Sequence, residues 1–228
     1  MIALAFEMST RQGSLALFSG GKLLGMKTWN DEGARSQTLF ELLPQVLGEA
    51  GLRLEQVEAF VVGRGPGSYT GLRVALTAAR SLALPKDLQV YTLNSGLAFA
   101  AEIFAGSSAR QAAVIGDARR ERLWIGVFQR EGLAQSLDWT LIPIAELPRH
   151  LAEGTTVVSP DWARLVSVLP VGQVDGVTWE QADRCPTADW LGRVGLERWA
   201  QGVASEPLTP IYMHPPVFLP PQYPVRDP

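Results

Sequence analysis

VEAFVVGRGPGSYTGLRVALTAARSLAL, Val57 to Leu84, holds three kinds of sequence in succession. Val57 to Val62 is a β-branched and aromatic run closed by glycine, the pattern of a buried strand. Gly63 to Gly71 is a glycine-proline elbow. Beyond it, Leu72, Ala75, Leu76, Ala79, Leu82 and Ala83 recur at helical spacing, with Arg73, Thr77 and Arg80 on another face. The unit is a strand, a tight turn and a helix, as expected of an α/β protein.

The elbow itself admits two readings. Bare backbone amides at a helix start favour an anion. Alternatively, the glycines supply positive φ for a sharp turn while Ser68 or Thr70 caps the helix. Gly65, Pro66, Gly67, Ser68, Tyr69, Thr70 and Gly71 match neither familiar phosphate pattern. Leu72 and Arg73 follow Gly71 where a P-loop has Lys and Ser or Thr, and three residues separate Gly67 from Gly71 where the dinucleotide fingerprint has two. Ala75, Ala79 and Ala83 let another helix come close, in the core or across an interface.

Outward from this stretch, Ile2 to Phe6, Ser14 to Phe18 and Leu23 to Trp29 read as three antiparallel strands, the last two joined at Gly20-Gly21. Leu39, Leu42, Leu43, Val46, Leu47 and Ala50 give Ser36 to Ala50 the clearest helical period, with a cap near Ser36, a stop at Gly51 and a weak point at Pro44. Gln89 to Leu93 is a fifth strand, and Asn94 to Phe104 a connecting helix. A similar order begins again with strands at Ala112 to Ile115, Leu123 to Phe128 and Ala134 to Leu141. A helix at Ile144 to Leu151, a strand at Thr156 to Ser159 and helices at Asp161 to Val168 and Thr187 to Gln201 complete it. The repetition implies two related halves, residues 1–104 and 105–206. The last 22 residues, 207–228, contain eight prolines and are expected to lie extended over the surface or be disordered. Six of the seven tryptophans fall in the second half, where buried aromatic packing is the simplest role.

The chain has 228 residues, 46% hydrophobic and 19% charged, which suits a globular protein with a sizeable core. Its net charge of −3 and lack of a lysine-arginine cluster weigh against strong nucleic-acid binding by the chain alone. One cysteine, Cys185, excludes an internal disulfide. No signal peptide stands at the N-terminus, and no run approaches the roughly 18 apolar residues of a membrane span, so the cytoplasm is the expected compartment. His150 and His214, the two histidines, lack metal-site spacing, and no metal or other cofactor is expected. Neither His-Glu-x-x-His nor Gly-x-Ser-x-Gly occurs, which disfavours a peptidase.

Two β-β-β-α-β-α units in tandem are the plan of the actin-like ATPase (ASKHA) superfamily, whose halves are ribonuclease-H-like. Within it, GRGPGSYTGLRVALTAARSLA closely resembles the signature segment of the TsaB (YeaZ) family of threonylcarbamoyladenosine biosynthesis. LAFEMST, GDARRERLW and TPIYMH resemble three other segments of that family. Glu7, Met8, Arg35, Arg122 and His214 depart from its usual residues. The resemblance implies a non-catalytic paralogue of the transferase TsaD, with no catalytic residues of its own. It implies a heterodimer with TsaD, TsaE joining the complex, a homodimer when the chain is alone, and only indirect contact with tRNA. Helices 36–50 and 70–84 would form the partner face through Leu39, Leu42, Leu43, Val46, Leu72, Arg73, Ala75, Leu76 and Ala79. A glutamate at Ala75 or Ala79 would then abolish pairing and leave a folded monomer. The competing reading is an actin-like ATPase, with Glu7, Ser9, Thr10 and Asp117 around a nucleotide.

Overall fold

The computed structural model describes residues 1–30 and 35–213, the side chains of 35 and 36 aside. Two five-stranded sheets form its frame. In the first, β1 (Ile2–Glu7), β2 (Gln12–Ser19) and β3 (Lys22–Asn30) run antiparallel. β4 (Ala59–Gly63) pairs parallel with β1, and β5 (Gln89–Leu93) parallel with β4, in the order β3-β2-β1-β4-β5. The second sheet repeats this plan with β6 (Gln111–Asp117), β7 (Arg122–Gln129), β8 (Gln135–Pro143), β9 (Thr155–Val158) and β10 (Thr178–Trp179), in the order β10-β9-β6-β7-β8. Read from the third strand of each, the two orders coincide. This is the duplicated ribonuclease-H-like α/β architecture that the sequence led us to expect.

Side-chain size sorts the two faces of the first sheet. Leu4, Phe6, Leu15, Leu17, Phe60 and Val62 point to one side and pack beneath α1 (Arg35–Glu49) and α2 (Tyr69–Ala83). Ala3, Ala5, Ala16, Ala59 and Val61 point to the other, where small side chains allow a close helix. That helix is α5 (Ala188–Ala200), which lies across β1, β2 and β4. Its approach depends on Gly192, where a Cβ would stand 2.2 Å from the Phe18 ring, and on Gly195, where one would stand 2.4 Å from Val61. Conversely, α3 (Gly96–Gly106), which follows the last strand of the first sheet, packs on β6 and β7 of the second. Each half therefore sends its closing helix onto the other half's sheet, and α3 and α5 pack against each other in a shared core.

The outer face of the second sheet is covered more thinly. The helix expected at Ile144 to Leu151 is a 3-10 helix, Ile144–His150, because Pro148 lies inside it and can donate no backbone hydrogen bond. The helix expected at Asp161 to Val168 is a single α turn, α4 (Trp162–Leu165). The two-residue strand β10 was not anticipated, being too short to show a period. In the first half, α1 runs through Pro44, which is exposed, as one helix. Gly51, at φ 68°, follows its end. The expected cap at Ser36 falls on a side chain outside the described set.

After α5 the chain returns to the first half as a strap. Tyr91 donates its hydroxyl to the Val203 carbonyl at 3.0 Å, Thr92 its amide to Ser205 Oγ at 2.9 Å, and Glu206 its amide to the Thr92 carbonyl at 2.9 Å. Arg64 fixes the far end: its guanidinium meets the Glu206 carboxylate at 3.0 Å and the Thr209 carbonyl at 2.8 Å, while its own carbonyl accepts from the Ile211 amide at 2.8 Å. The proline-rich segment thus lies over the surface as far as 213; its remainder, 214–228, is outside the described residues.

Candidate functional site

The elbow sits at the seam of the two halves. Gly67 has φ 152°, and a Cβ on it would fall 1.9 Å from the Ser9 carbonyl oxygen. The Ser68 amide donates to that same oxygen at 2.6 Å. Ser68 also caps α2, its hydroxyl accepting from the Gly71 amide at 3.3 Å, while its carbonyl takes the Leu72 amide. The Gly65 amide donates to Ser95 Oγ at 3.1 Å. Several amides of the loop are therefore committed to the protein itself, and the geometry is that of a hinge and cap.

Beneath the elbow lies Glu7, fully buried at the end of β1. Its Oε1 accepts the Ser9 amide at 2.7 Å, and Oε2 is packed over Gly63, where a Cβ would stand 2.0 Å away. Burial pushes the Glu7 carboxyl above its ordinary value, against the opposing pull of the neighbouring Ser9 and Ser95 hydroxyls. A carboxyl so placed is a packed internal group.

Above the elbow a cleft of about 710 Å³ opens between the β1–β2 loop, the start of α2, the β6–β7 hairpin, α4 and the strap. Ser9, Thr10 and Asp117 line it together, whereas Glu7 does not. Of the four residues expected around a nucleotide, three converge and the acidic one nearest the chain start is withdrawn. Sequence reasoning missed Arg11, Arg119, Trp124, Arg164 and Tyr212, which also line the cleft. Asp117 pairs with Arg119 at 3.1 Å and Arg164 at 3.8 Å, Arg164 pairs with Asp161, and Arg11 with Asp183. Nearby, burial raises the pKa of the Cys185 thiol, which disfavours the reactive thiolate. Among the described residues no three His, Cys, Asp or Glu side chains gather as a metal site, and no helix is long and apolar enough to cross a membrane.

The residues expected on a partner face separate into two groups. Leu39, Leu72, Ala75 and Ala79 have no exposed surface, and Leu43, Val46 and Leu76 are buried with them. All but Leu72, which packs over Gly65 of the elbow, join the core that seats α1 and α2 on their own sheet. The expectation that Ala75 and Ala79 face a partner is corrected accordingly: a helix on a sheet buries one stripe, and here the alanines are in it. Leu42 is half-buried and Arg73 exposed. The outward stripe carries Arg73, Thr77 and Arg80 on α2, the face that the sequence set apart, with Leu84 just beyond, and Phe40, Pro44 and Gln45 on α1, which sequence reasoning did not single out. Phe40 is 48% and Leu84 75% exposed, large apolar surface on α1 and just past the end of its neighbour α2.

A family model described as TsaD, tRNA N6-adenosine threonylcarbamoyltransferase, matches residues 32–147. The tRNA threonylcarbamoyladenosine biosynthesis protein TsaB of Haemophilus influenzae is 35% identical over 131 residues, 56% of this chain and 54% of that protein. The protein of the same name from Escherichia coli is 23% identical over 222 residues, 93% of this chain and 94% of that one. The chain thus spans about half the length of the first relative and nearly all of the second. The solved structure of YeaZ from Pseudomonas aeruginosa superposes with a TM-score of 0.77 at 25% identity, covering 92% of this chain and 99% of that one.

Proposed function

The chain belongs to the TsaB/YeaZ family, and from that premise we propose that it works in the cytoplasm, in tRNA threonylcarbamoyladenosine biosynthesis, as a non-catalytic subunit that binds and stabilises a TsaD-type transferase. TsaE joins through the complex, and the same face forms a homodimer when the chain is alone. The observation that carries this reading is the outward stripe of α1 and α2, with Phe40 exposed on α1 and Leu84 exposed just past the end of α2. An exposed aromatic side chain on one helix and an exposed aliphatic one at the end of its neighbour suit a helical partner, because close helix packing excludes water from them. Arg73 stays among the proposed contacts; Leu42 contributes its half-buried edge.

Co-purification with the TsaD of the same organism tests the reading. A stoichiometric complex at micromolar concentration that Phe40→Glu abolishes is the expected result. Its absence in the parent chain sinks the proposal.

The ATPase reading draws on the convergence of Ser9, Thr10 and Asp117 on one cleft. Burial of Glu7 and its bond to the Ser9 amide count against it, since a carboxyl raised in pKa and turned inward offers no ligand to a nucleotide-bound cation. A nucleotide titration with magnesium that gave micromolar affinity would restore it.

A further inference from the structure

We propose that the lips of the cleft form a direct contact for an unpaired stretch of RNA, made by this chain itself. The choice of a polynucleotide rests on the tRNA-modification reading above; the choice of place rests on the side chains there. On one lip, the Tyr69 and Tyr212 rings stack with centroids 5.1 Å apart and planes 29° from parallel. They are 54% and 43% exposed, so the stacked pair presents aromatic surface to solvent. The Arg73 guanidinium lies 4.0 Å from the Tyr69 centroid, and its Nε donates to the Tyr212 hydroxyl at 2.8 Å. A rigid, exposed aromatic pair backed by a guanidinium is a platform on which a base of any identity stacks.

The other lip supplies positive charge in a particular arrangement. Asp117, Asp161 and Asp183 keep only 14%, 18% and 13% of their side-chain surface, while their partners Arg119, Arg164 and Arg11 keep 72%, 52% and 59%. The carboxylates sit behind and the guanidiniums stand in front, so a ligand entering the cleft meets the cations first. Arg120, next to Arg119 at the tip of the β6–β7 hairpin, is also exposed. Every cation named is an arginine, whose planar fork matches phosphate oxygens in pairs. Between the lips lies Ser9, whose hydroxyl is buried beside the Glu7 carboxyl, so the floor of the cleft is polar. Aromatic surface on one side and presented guanidiniums on the other fit a strand whose bases turn one way and phosphates the other. This goes beyond the indirect contact with tRNA that the sequence suggested.

The test uses the full chain, purified alone, titrated into a fluorescently labelled unpaired RNA of about ten nucleotides, with anisotropy as the readout. Binding should weaken about tenfold between about 50 and 200 mM salt, as expected when two or three phosphates are neutralised. Arg119→Ala combined with Arg120→Ala should weaken binding about tenfold and flatten the salt dependence. Tyr212→Ala should weaken it several-fold with the salt dependence kept, and Tyr212→Phe should bind as the parent does. Thermal melting of each variant separates a lost contact from a lost fold. No binding at about 100 μM protein, or binding indifferent to these variants, overturns the inference. So does ATP that competes at an affinity equal to or above that of the RNA, which would make the cleft a mononucleotide pocket. Pull-down with the TsaD-type partner is scored on the same variants: loss of pairing in place of RNA binding makes the lips a protein contact and overturns the inference. RNA binding by a chain that forms no such complex leaves it standing while the partner proposal falls.

Discussion

Gly67 and Ser9 are in backbone contact: the elbow that starts α2 is pressed onto the β1–β2 loop so closely that a Cβ at Gly67 would stand 1.9 Å from the Ser9 carbonyl oxygen. The obstacle is main chain, which cannot swing aside as a side-chain tip can, and φ at 152° is one that L-residues rarely adopt. Gly67→Ala is therefore expected to cost about 3 kcal/mol, combining strain and clash. Urea unfolding of parent and variant checks it.

The cap of α2 is a separate and smaller contribution. Ser68→Ala removes the acceptor for the Gly71 amide and should lower stability by about 1 kcal/mol. The same unfolding curves measure it, and Ser68→Asp, which keeps an acceptor, should recover most of the loss.

Glu7 gives a pH dependence of defined sign. Its folded carboxyl holds the proton to higher pH than the unfolded one, because burial disfavours the charge. Its contribution to stability is therefore whole below the ordinary glutamate value of about 4.3, and is lost as pH rises through the folded value. Glu7→Gln cannot ionise. The variant should match the parent near the acid end and exceed it in stability at neutral pH and above; parallel curves across that range would refute the assignment.

Burial separates the two stripes of α2 and α1 experimentally. Ala75→Glu or Ala79→Glu puts an unpaired charge in the core and should cost about 3 kcal/mol or more, seen as lost circular dichroism or a much lower melting temperature. Phe40→Glu, at an exposed site, should leave stability within about 0.5 kcal/mol while ending self-association in sedimentation velocity. Were Ala75→Glu to stay folded as a monomer, α2 would be seated otherwise than described.

Arg64 should govern the strap. It reaches Glu206 and the Thr209 carbonyl, 142 and 145 residues away in sequence. Arg64→Ala should cost about 1 kcal/mol and speed amide hydrogen exchange at Thr92 and Ile211, whose bonds hold the strap to β5 and β4. Unchanged exchange would show the strap to be held by its remaining contacts.

Much of this architecture is legible in the chain because the first half repeats each local signal over many residues. α1 and α2 show apolar spacing through 15 residues each, and the paired glycines at 20 and 21 mark the hairpin. The second half is harder to read where its elements shrink: four residues for α4 and two for β10 carry no period. Periodicity found the helices but did not say which stripe faces inward on α2, since a row of alanines suits a sheet beneath as well as a helix beside it. Turn and cap was one of two readings open for the elbow, and it could be formed because glycine, proline and serine act locally; Ser68 is the residue that caps. The cleft did not, because Arg73 and Tyr212 are 139 residues apart and meet only through the strap. Nothing in local sequence announces such a meeting.

The reciprocal seating of α3 and α5 has a mechanical consequence. Two-lobed proteins that open and shut around a ligand do so by letting one lobe rotate freely on the other. Here each lobe carries a piece of the other's hydrophobic lining, wedged in place by the bare backbone at Gly192 and Gly195. Rotation would drag a helix off the sheet that it insulates and wet Ala3, Ala5 and Val61 at once. Seated in this way, the two lobes are expected to resist opening, so that a ligand of the groove would have to fit it much as it stands.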